Sequence, residues 1–122
     1  MPEIIGNEKD VEWVRPAVMP GMAIKVLGPY KETESWWLLV ECDAGMELPA
    51  ETHPCAQYCY TLEGQIECKG KVYGPGTYML WSEGVEHGPF SVVGDKPWVS
   101  INVFTGSAGL EEMIPELKPF ME

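Results

Sequence analysis

The chain contains two histidines, His53 and His87, and the first lies among residue types that bind metal ions. Glu51 and His53 are two residues apart, so on a strand both side chains point to one face. Gln57 follows closely and could converge on them, and imidazoles with carboxylate or amide oxygens are ligands of divalent metals. A metal site is predicted if His87 arrives from a second segment. The alternative is that each histidine is an ordinary core or surface residue.

The elements that must position these residues are short predicted strands, separated by turns rich in glycine and proline. Many short strands spaced in this way are typical of a sandwich or barrel. Glu63 and Gly64 are predicted as a hairpin turn, after which the next strand pairs back on the previous one. We expect an all-β fold with strands at 23–27, Trp36–Cys42, 58–62, 65–69, Lys71–Tyr73, Tyr78–Trp81, Phe90–Val93 and Trp98–Phe104.

The length of 122 residues fits one domain, which we expect to span 1–122 with its barrel core at about 23–104. Residues 1–22 are predicted to form an arm that packs as an edge strand or against a partner subunit. Residues 105–122 are predicted to form a tail. In the tail, Pro115 and Pro119 limit a helix near Leu110–Met113 to about one turn.

The net charge of −11, from 19 acidic and 8 basic side chains, argues against two classes of partner. Nucleic acids need a basic binding surface, and an anionic membrane surface repels an acidic protein. No apolar run approaches the roughly 20 residues of a membrane helix. The acidic N-terminus also lacks the apolar region of a secretory signal. We therefore expect a cytoplasmic protein with a small-molecule substrate.

Cysteine and aromatic residues are interpreted mainly as packing residues. Cys55 and Cys59 lie near His53 in sequence and could join a metal site as thiolates, but buried free thiols are favoured in a cytosolic protein. Some aromatic side chains should wall a small apolar pocket. Most are expected in the core, namely Trp36, Trp37, Tyr58, Tyr60, Tyr78, Trp81 and Phe104.

Two segments resemble the two motifs of the cupin family. The first motif runs Gly, five residues, His-x-His, three or four residues, Glu, six residues, Gly. The second runs Gly, five residues, Pro-x-Gly, two residues, His, three residues, Asn. The first segment has Gly45, five residues, Glu51-Thr52-His53, three residues, Gln57, six residues and Gly64. The second has Gly76, five residues, Ser82-Glu83-Gly84, two residues, His87, three residues and Ser91. This resemblance, over about 23–104, implies the cupin double-stranded β-helix, a jelly-roll barrel.

The departures from the family pattern concern the metal ligands. Glu51 stands where the family has its first histidine, and Gln57 stands where it has glutamate. The family set of three imidazoles and one carboxylate thereby becomes two imidazoles, one carboxylate and one amide, with the same net charge of −1. Ser82 and Ser91 replace proline and asparagine, which should affect only loop geometry.

The resemblance implies one divalent metal ion held by Glu51, His53, Gln57 and His87. Two histidines and one carboxylate are the ligand set of non-haem Fe(II) oxygenases, so Fe(II) is favoured, with Mn, Ni or Zn as alternatives. Gln57 would be a weaker fourth ligand through its amide oxygen, or a hydrogen-bond partner of the site. The competing interpretation is a cupin that has lost its metal, in which Glu51 and Gln57 are polar groups lining the barrel.

Flanking strings at 19–27, 45–49 and 73–78 are similar to ChrR-like cupins. That group includes 2,4'-dihydroxyacetophenone dioxygenases and the cupin half of anti-sigma factors. The resemblance implies a dioxygenase that cleaves a C–C bond of a small hydroxyketone or diketone, with Glu51, His53 and His87 as catalytic residues. Alternatives are a metal-dependent isomerase, epimerase, cyclase or lyase, and a metal-free or metal-sensing binding module. A homodimer is also implied, through the N-terminal segment or an outer sheet face.

Overall fold

The computed structural model describes residues 3–122, where nine strands form two antiparallel sheets. The strands are β1 (Met22–Val26), β2 (Trp36–Cys42), β3 (Glu47–Leu48), β4 (Gln57–Glu63), β5 (Gln65–Cys68), β6 (Lys71–Tyr73), β7 (Tyr78–Trp81), β8 (Phe90–Val93) and β9 (Trp98–Phe104). One sheet has the order β1-β2-β9-β4-β7, and the other has the order β3-β8-β5-β6. The predicted all-β jelly roll is confirmed. Five predicted strands have the predicted bounds, and β3 is an addition.

Strand alternation builds the interior of the five-stranded sheet. Gln57, Cys59 and Thr61 of β4 are buried, whereas the residues between them are exposed. On the neighbouring strand β9, every second residue is buried, namely Trp98, Ser100, Asn102 and Phe104. Because successive side chains of a strand point to opposite faces, both strands present their polar residues to the barrel interior.

The predicted hairpin at Glu63 and Gly64 is wrong. β4 pairs with β7 and β9, whereas β5 pairs with β6 and β8, so the chain passes from one sheet to the other at this point. Gly64 has φ +81°, and a Cβ there would lie 2.2 Å from the carbonyl oxygen of Pro97. Glycine is therefore needed where the chain passes between the sheets and its backbone packs closely against that of Pro97. Local turn signals alone do not reveal this requirement.

The N-terminal arm covers the outer face of the sheet near β1. Val14 forms an isolated antiparallel bridge with Ile24, so the predicted edge strand is reduced to a single bridge. A short 3-10 helix at Glu8–Asp10 lies over Lys25, whose Nζ is 2.7 Å from Glu8 Oε2 and 4.7 Å from the ring centre of Trp13. The arm thus buries a charge by pairing it.

The tail packs against the core side chains of β1 and β2 and contacts the arm through a hydrogen bond from the Ala17 N–H to Glu116 Oε2. Helix α2 (Leu110–Met113) has the predicted length of about one turn, and a 3-10 helix continues at Pro115–Met121. Leu117 of that helix is fully buried, and Trp36 donates its indole N–H to the Ser107 carbonyl. A second one-turn helix, α1 (Tyr30–Thr33), lies between β1 and β2. None of the helices in residues 3–122 has the length and apolar character needed to cross a membrane.

Several aromatic residues expected in the core lie instead on the outer surface. Trp36 and Phe104 are buried as expected, and Trp81 is partly buried. The prediction is wrong for Trp37, Tyr58, Tyr60 and Tyr78, which are 47–81% exposed. β-Strands with apolar residues on both faces do not reveal which face is inside. We call the outward-facing set the outer aromatic face; it comprises Trp37, Tyr58, Tyr60, Leu62, Tyr78 and Leu80.

Candidate metal centre

The backbone brings the two sequence motifs together at Glu51 and His87. These residues form an isolated antiparallel bridge, in which each backbone N–H donates to the other's carbonyl at 2.9 Å. A further backbone bond runs from the Gly84 N–H to the His53 carbonyl at 2.9 Å. Three hydrogen bonds therefore tie together the two segments that carry the candidate ligands.

The side chains of Glu51, His53 and His87 form a compact cluster. One ligand atom from each lies within 4.8 Å of the other two. Within it, His53 Nε2 and Glu51 Oε2 are 3.4 Å apart. Ligands held at about 2.0–2.2 Å from an ion stand about 3–4 Å from one another, so the cluster needs little adjustment to receive a cation.

Aromatic rings fix the orientation of both imidazoles. Trp81 stacks on His87 with the ring centres 4.4 Å apart, and Phe104 contacts His53 edge to face at 5.2 Å. The two imidazole centres are 5.0 Å apart. His53 and His87 are both buried, whereas the Glu51 side chain remains 26% exposed. Glu51 therefore lies on the solvent side of the cluster.

Gln57 lies on the interior of β4, between the two supporting rings in the strand register. It pairs with Trp81 of β7 on one side and with Phe104 of β9 on the other. Its Nε2 donates to Asn102 Oδ1 at 3.0 Å, and both side chains are buried. The structure thus places all four predicted residues around one cavity, with Gln57 anchored by a partner that sequence reasoning did not identify.

Two buried side-chain atoms in this region lack a hydrogen-bond partner among the described residues, Gln57 Oε1 and His87 Nδ1. A buried polar atom left unpaired costs free energy, so each calls for a partner. Burial lowers the pKa of His87 and the neighbouring His53 lowers it further, while Glu51 and the backbone of Val85 act in the opposite direction. The neutral imidazole favoured in this way is the form that binds metals. The donor set therefore fits a divalent cation.

The cluster opens into a cavity of about 120 Å³. Polar groups lie at the cluster and deeper along β9, where Ser100 and Asn102 line the wall. Met19 of the arm, Met22 of β1, and Met113 and Ile114 of the tail also line it. Sequence reasoning missed Ser100 and Asn102. The signal was available, because both alternate with Trp98 and Phe104 along a strand that was predicted correctly.

The cysteines form no part of the metal cluster found in residues 3–122. Cys42 and Cys59 line the cavity, but burial raises the pKa of Cys42 to about 12 and that of Cys59 to about 11. Thiolates are the form that binds metals, so these buried thiols act as small apolar wall residues. Burial also raises the pKa of Cys55. All four cysteines are free thiols.

Comparison with known proteins places this arrangement in a family. A family model described as the ChrR cupin-like domain matches residues 1–106. The chain belongs to the ChrR cupin-like family. Comparison of this cupin with curated proteins gave no match.

Solved structures share the fold of this ChrR-like cupin. An acetylacetone dioxygenase from Acinetobacter johnsonii superposes with a TM-score of 0.67 and 20% identity, over 85% of this chain and 74% of that one. An RmlC-like cupin from Ralstonia eutropha has a TM-score of 0.69 and 19% identity, over 82% and 66%. The anti-sigma ChrR of Rhodobacter sphaeroides, solved in complex with SigE, superposes with a TM-score of 0.62 and 17% identity. The match covers 80% of this chain and 50% of that one. This chain thus spans just under two thirds of the Ralstonia protein and half of ChrR.

Proposed function

We propose that this cupin is a non-haem iron dioxygenase that cleaves a C–C bond in a small oxygenated substrate. The observation that carries the proposal is the Glu51, His53 and His87 cluster, whose ligand atoms lie within 4.8 Å of one another at the mouth of a cavity. Two imidazoles and one carboxylate are the ligand set of Fe(II) oxygenases. Gln57 adds a neutral oxygen beside them.

A bound Fe(II) would supply Lewis acidity and open coordination positions for substrate oxygens and dioxygen. The chain's residues contribute fixed geometry around it. Trp81 and Phe104 hold the two imidazoles, and the backbone bridge holds Glu51 beside His87. In the proposed reaction one C–C bond breaks and both atoms of dioxygen enter the products, so no further reductant is needed.

The cavity suits a small neutral molecule that has oxygen atoms at one end and a short apolar body. Side chains such as Leu48, Met113 and Ile114 offer no charge to bind an anionic group. The partly exposed Glu51 and the net charge of −11 also disfavour anions. A β-diketone or an α-hydroxyketone has this chemistry. The fold similarity to an acetylacetone dioxygenase supports the diketone as the first compound to test.

The test is anaerobic reconstitution with Fe(II), followed by addition of acetylacetone and dioxygen. Oxygen consumption is expected, with label from ¹⁸O₂ in the products of C–C cleavage. Glu51→Gln should abolish turnover, whereas Glu83→Gln, which removes an exposed carboxylate outside the cluster, should leave it unchanged. Undiminished turnover after replacement of Fe(II) by Zn(II) would contradict the oxygenase and favour an isomerase, epimerase, cyclase or lyase.

A second candidate is a metal-loaded binding module. The observation in its favour is membership of a family named after ChrR, whose solved structure is a complex with SigE. Such a module would bind metal and small ligands without consuming either. Tight binding of acetylacetone by the Fe(II) form, with no oxygen uptake and no product, would favour this candidate over the dioxygenase.

We also propose that two copies associate through the outer aromatic face. Its six side chains are 44–81% exposed and lie on β2, β4 and β7 of one sheet, in which β9 separates β2 from β4. Aromatic side chains bury 150–250 Å² each, so the exposed parts of the set amount to roughly 600–800 Å². That area exceeds the usual apolar patch of a monomer and is close to the ~800 Å² per partner of a standard interface. None of the six carries a charge, so two acidic copies could meet there.

A further inference from the structure

Three polar side chains form a hydrogen-bond chain through the barrel interior. Gln57 Nε2 donates to Asn102 Oδ1 at 3.0 Å, and Asn102 Nδ2 donates to Ser100 Oγ at 2.9 Å. Gln57 is 8% exposed, Asn102 is 6% exposed and Ser100 is 1% exposed. This series of hydrogen bonds is therefore shielded from water. There each hydrogen bond is stronger, and a polar atom left without a partner costs more free energy.

The series of hydrogen bonds from Gln57 to Ser100 has a direction. An amide group has a donor end and an acceptor end, and Asn102 uses its acceptor for Gln57 and its donor for Ser100. Ser100 also hydrogen-bonds to Cys59; burial raises the pKa of Cys59 to about 11, and this bond acts in the opposite direction. With Asn102 oriented in this way, Gln57 must turn its NH₂ group toward Asn102. Its oxygen is then the free end.

That free oxygen lies in the region of the metal cluster. Gln57 is paired in register with Trp81 and Phe104, the two residues whose rings contact His87 and His53. Gln57 also lines the same cavity as the three cluster residues. Its Oε1 is buried and has no hydrogen-bond partner among the described residues.

A purely structural network would be expected to satisfy both ends of the Gln57 amide, because a half-satisfied buried network is unfavourable. In this protein the end bonded to Asn102 is satisfied, and the oxygen end is buried without a partner among the described residues. The opposite orientation would present an NH₂ group, with two donors, to a bound cation. The observed orientation presents an oxygen, which is a ligand for hard and intermediate divalent cations.

We propose that Asn102 and Ser100 are positioning residues that hold the Gln57 amide oxygen toward Glu51, His53 and His87, so that Gln57 acts as a neutral fourth ligand of the cation. This inference rests on the proposed metal centre. It explains how an amide serves at that position, because a glutamine that is free to rotate would expose its donor and acceptor ends about equally.

The experiment uses the full chain and Co(II), which reports its ligand environment through visible absorption. Asn102→Leu removes the anchor and is expected to weaken Co(II) binding about 10- to 100-fold, the usual effect of losing a group that orients a ligand. Its spectrum should resemble that of Gln57→Leu. Ser100→Ala, a smaller change, should shift the spectrum in the same direction with a smaller loss of affinity.

The decisive comparison is the double variant Gln57→Leu/Asn102→Leu. If Asn102 acts through Gln57, its substitution has no further effect on Co(II) affinity once Gln57 is replaced. Thr61→Val is the matched control. It removes a buried hydrogen bond of similar length, from Trp98 Nε1 to Thr61 Oγ1 at 3.0 Å, which is not part of the series that joins Gln57, Asn102 and Ser100. It should leave Co(II) affinity and spectrum unchanged.

Each other outcome counts against a definite claim. Additive losses in the double variant, or an Asn102→Leu spectrum identical to that of the unmutated chain, would overturn the positioning role and leave the metal centre intact. Failure of the unmutated chain to bind Co(II) would overturn the metal centre and this inference together. Circular dichroism of every variant separates loss of a ligand from loss of the fold.

Discussion

Glu51 and His87 are joined through their backbones, and their side chains belong to one cluster of candidate ligands. The two residues exchange N–H to carbonyl hydrogen bonds of 2.9 Å, and their ligand atoms belong to the same cluster. They come from two different sequence motifs and are 36 residues apart in the chain. Because the bridge is made by backbone atoms, the two segments stay together when either side chain is removed. Substitution of either side chain should therefore affect metal binding much more than folding.

His87→Ala should abolish metal binding with little loss of fold. The substitution removes one imidazole, and loss of a direct ligand should weaken binding by more than about 100-fold, beyond the effect of losing an orienting group. The backbone bridge to Glu51 remains, and the cost is that of the ring contacts, chiefly the stacking on Trp81, on the order of 1–3 kcal/mol. Isothermal titration with Fe(II) or Co(II) measures the binding, and thermal unfolding measures the stability. Global unfolding of the variant would show instead that His87 is a core residue.

Gln57→Glu should have opposite effects on the metal-free and metal-loaded protein. A carboxylate cannot donate to Asn102 Oδ1, and it adds a buried charge near Glu51. The metal-free variant should therefore lose about 1–3 kcal/mol of stability. With the cation bound, the added charge should increase affinity about tenfold or more. Thermal unfolding with and without Co(II) measures both effects.

The matched control for that substitution is Gln65→Glu. Gln65 is exposed on β5, so the same change of amide to carboxylate should alter neither stability nor metal affinity appreciably. Equal effects at both positions would mean that net charge, and not the position of Gln57, governs the result.

Most strands, and the grouping of Glu51 with His53 as candidate ligands, could be predicted from sequence because their signals are local. Turn residues bound each strand, and the spacing of Glu51 and His53 places both on one face. The position of His87 rested on a second motif with intact spacing. These patterns determine local structure whichever distant segment packs alongside, so the predictions based on them agree with the folded structure.

The features that could not be predicted depend on distant contacts. Gly64 marks a passage between sheets because it touches Pro97, which is far away in sequence. Asn102 is the partner of Gln57 only because β9 lies beside β4. The exposure of Tyr58 and Tyr60 depends on which face of β4 is covered, and both faces of that strand carry apolar residues.

Tyr78→Lys tests the proposed dimer. Tyr78 is 81% exposed at the edge strand β7, so the substitution should leave the fold intact. In a twofold dimer the new charge would be desolvated in both copies, and the association should weaken about tenfold or more. Lysine also lowers the magnitude of the net charge of −11, so dissociation would not reflect general repulsion. Light scattering coupled to size exclusion gives the mass across a dilution series.

Val72→Lys is the control for that experiment. Val72 is 56% exposed on β6, in the other sheet, and its substitution should leave the mass unchanged. A monomeric mass for the unmutated chain at all concentrations would contradict the proposed interface. Dissociation caused by Val72→Lys alone would place the interface on the four-stranded sheet.

Gly64→Ala should be among the most destabilising single substitutions in the chain. The new methyl group would lie 2.2 Å from the Pro97 carbonyl oxygen and 2.8 Å from the Trp98 Cα, both backbone atoms that cannot move aside alone. The positive φ of +81° adds the cost of a left-handed conformation for alanine. A loss of about 3 kcal/mol or more is expected in chemical denaturation. Gly70→Ala is the control, because Gly70 has φ +80° but no atom within 4 Å of the added Cβ. It should lose only about 1–2 kcal/mol, so equal losses at the two positions would mean that φ alone, and not the contact with Pro97, fixes the corner between the sheets.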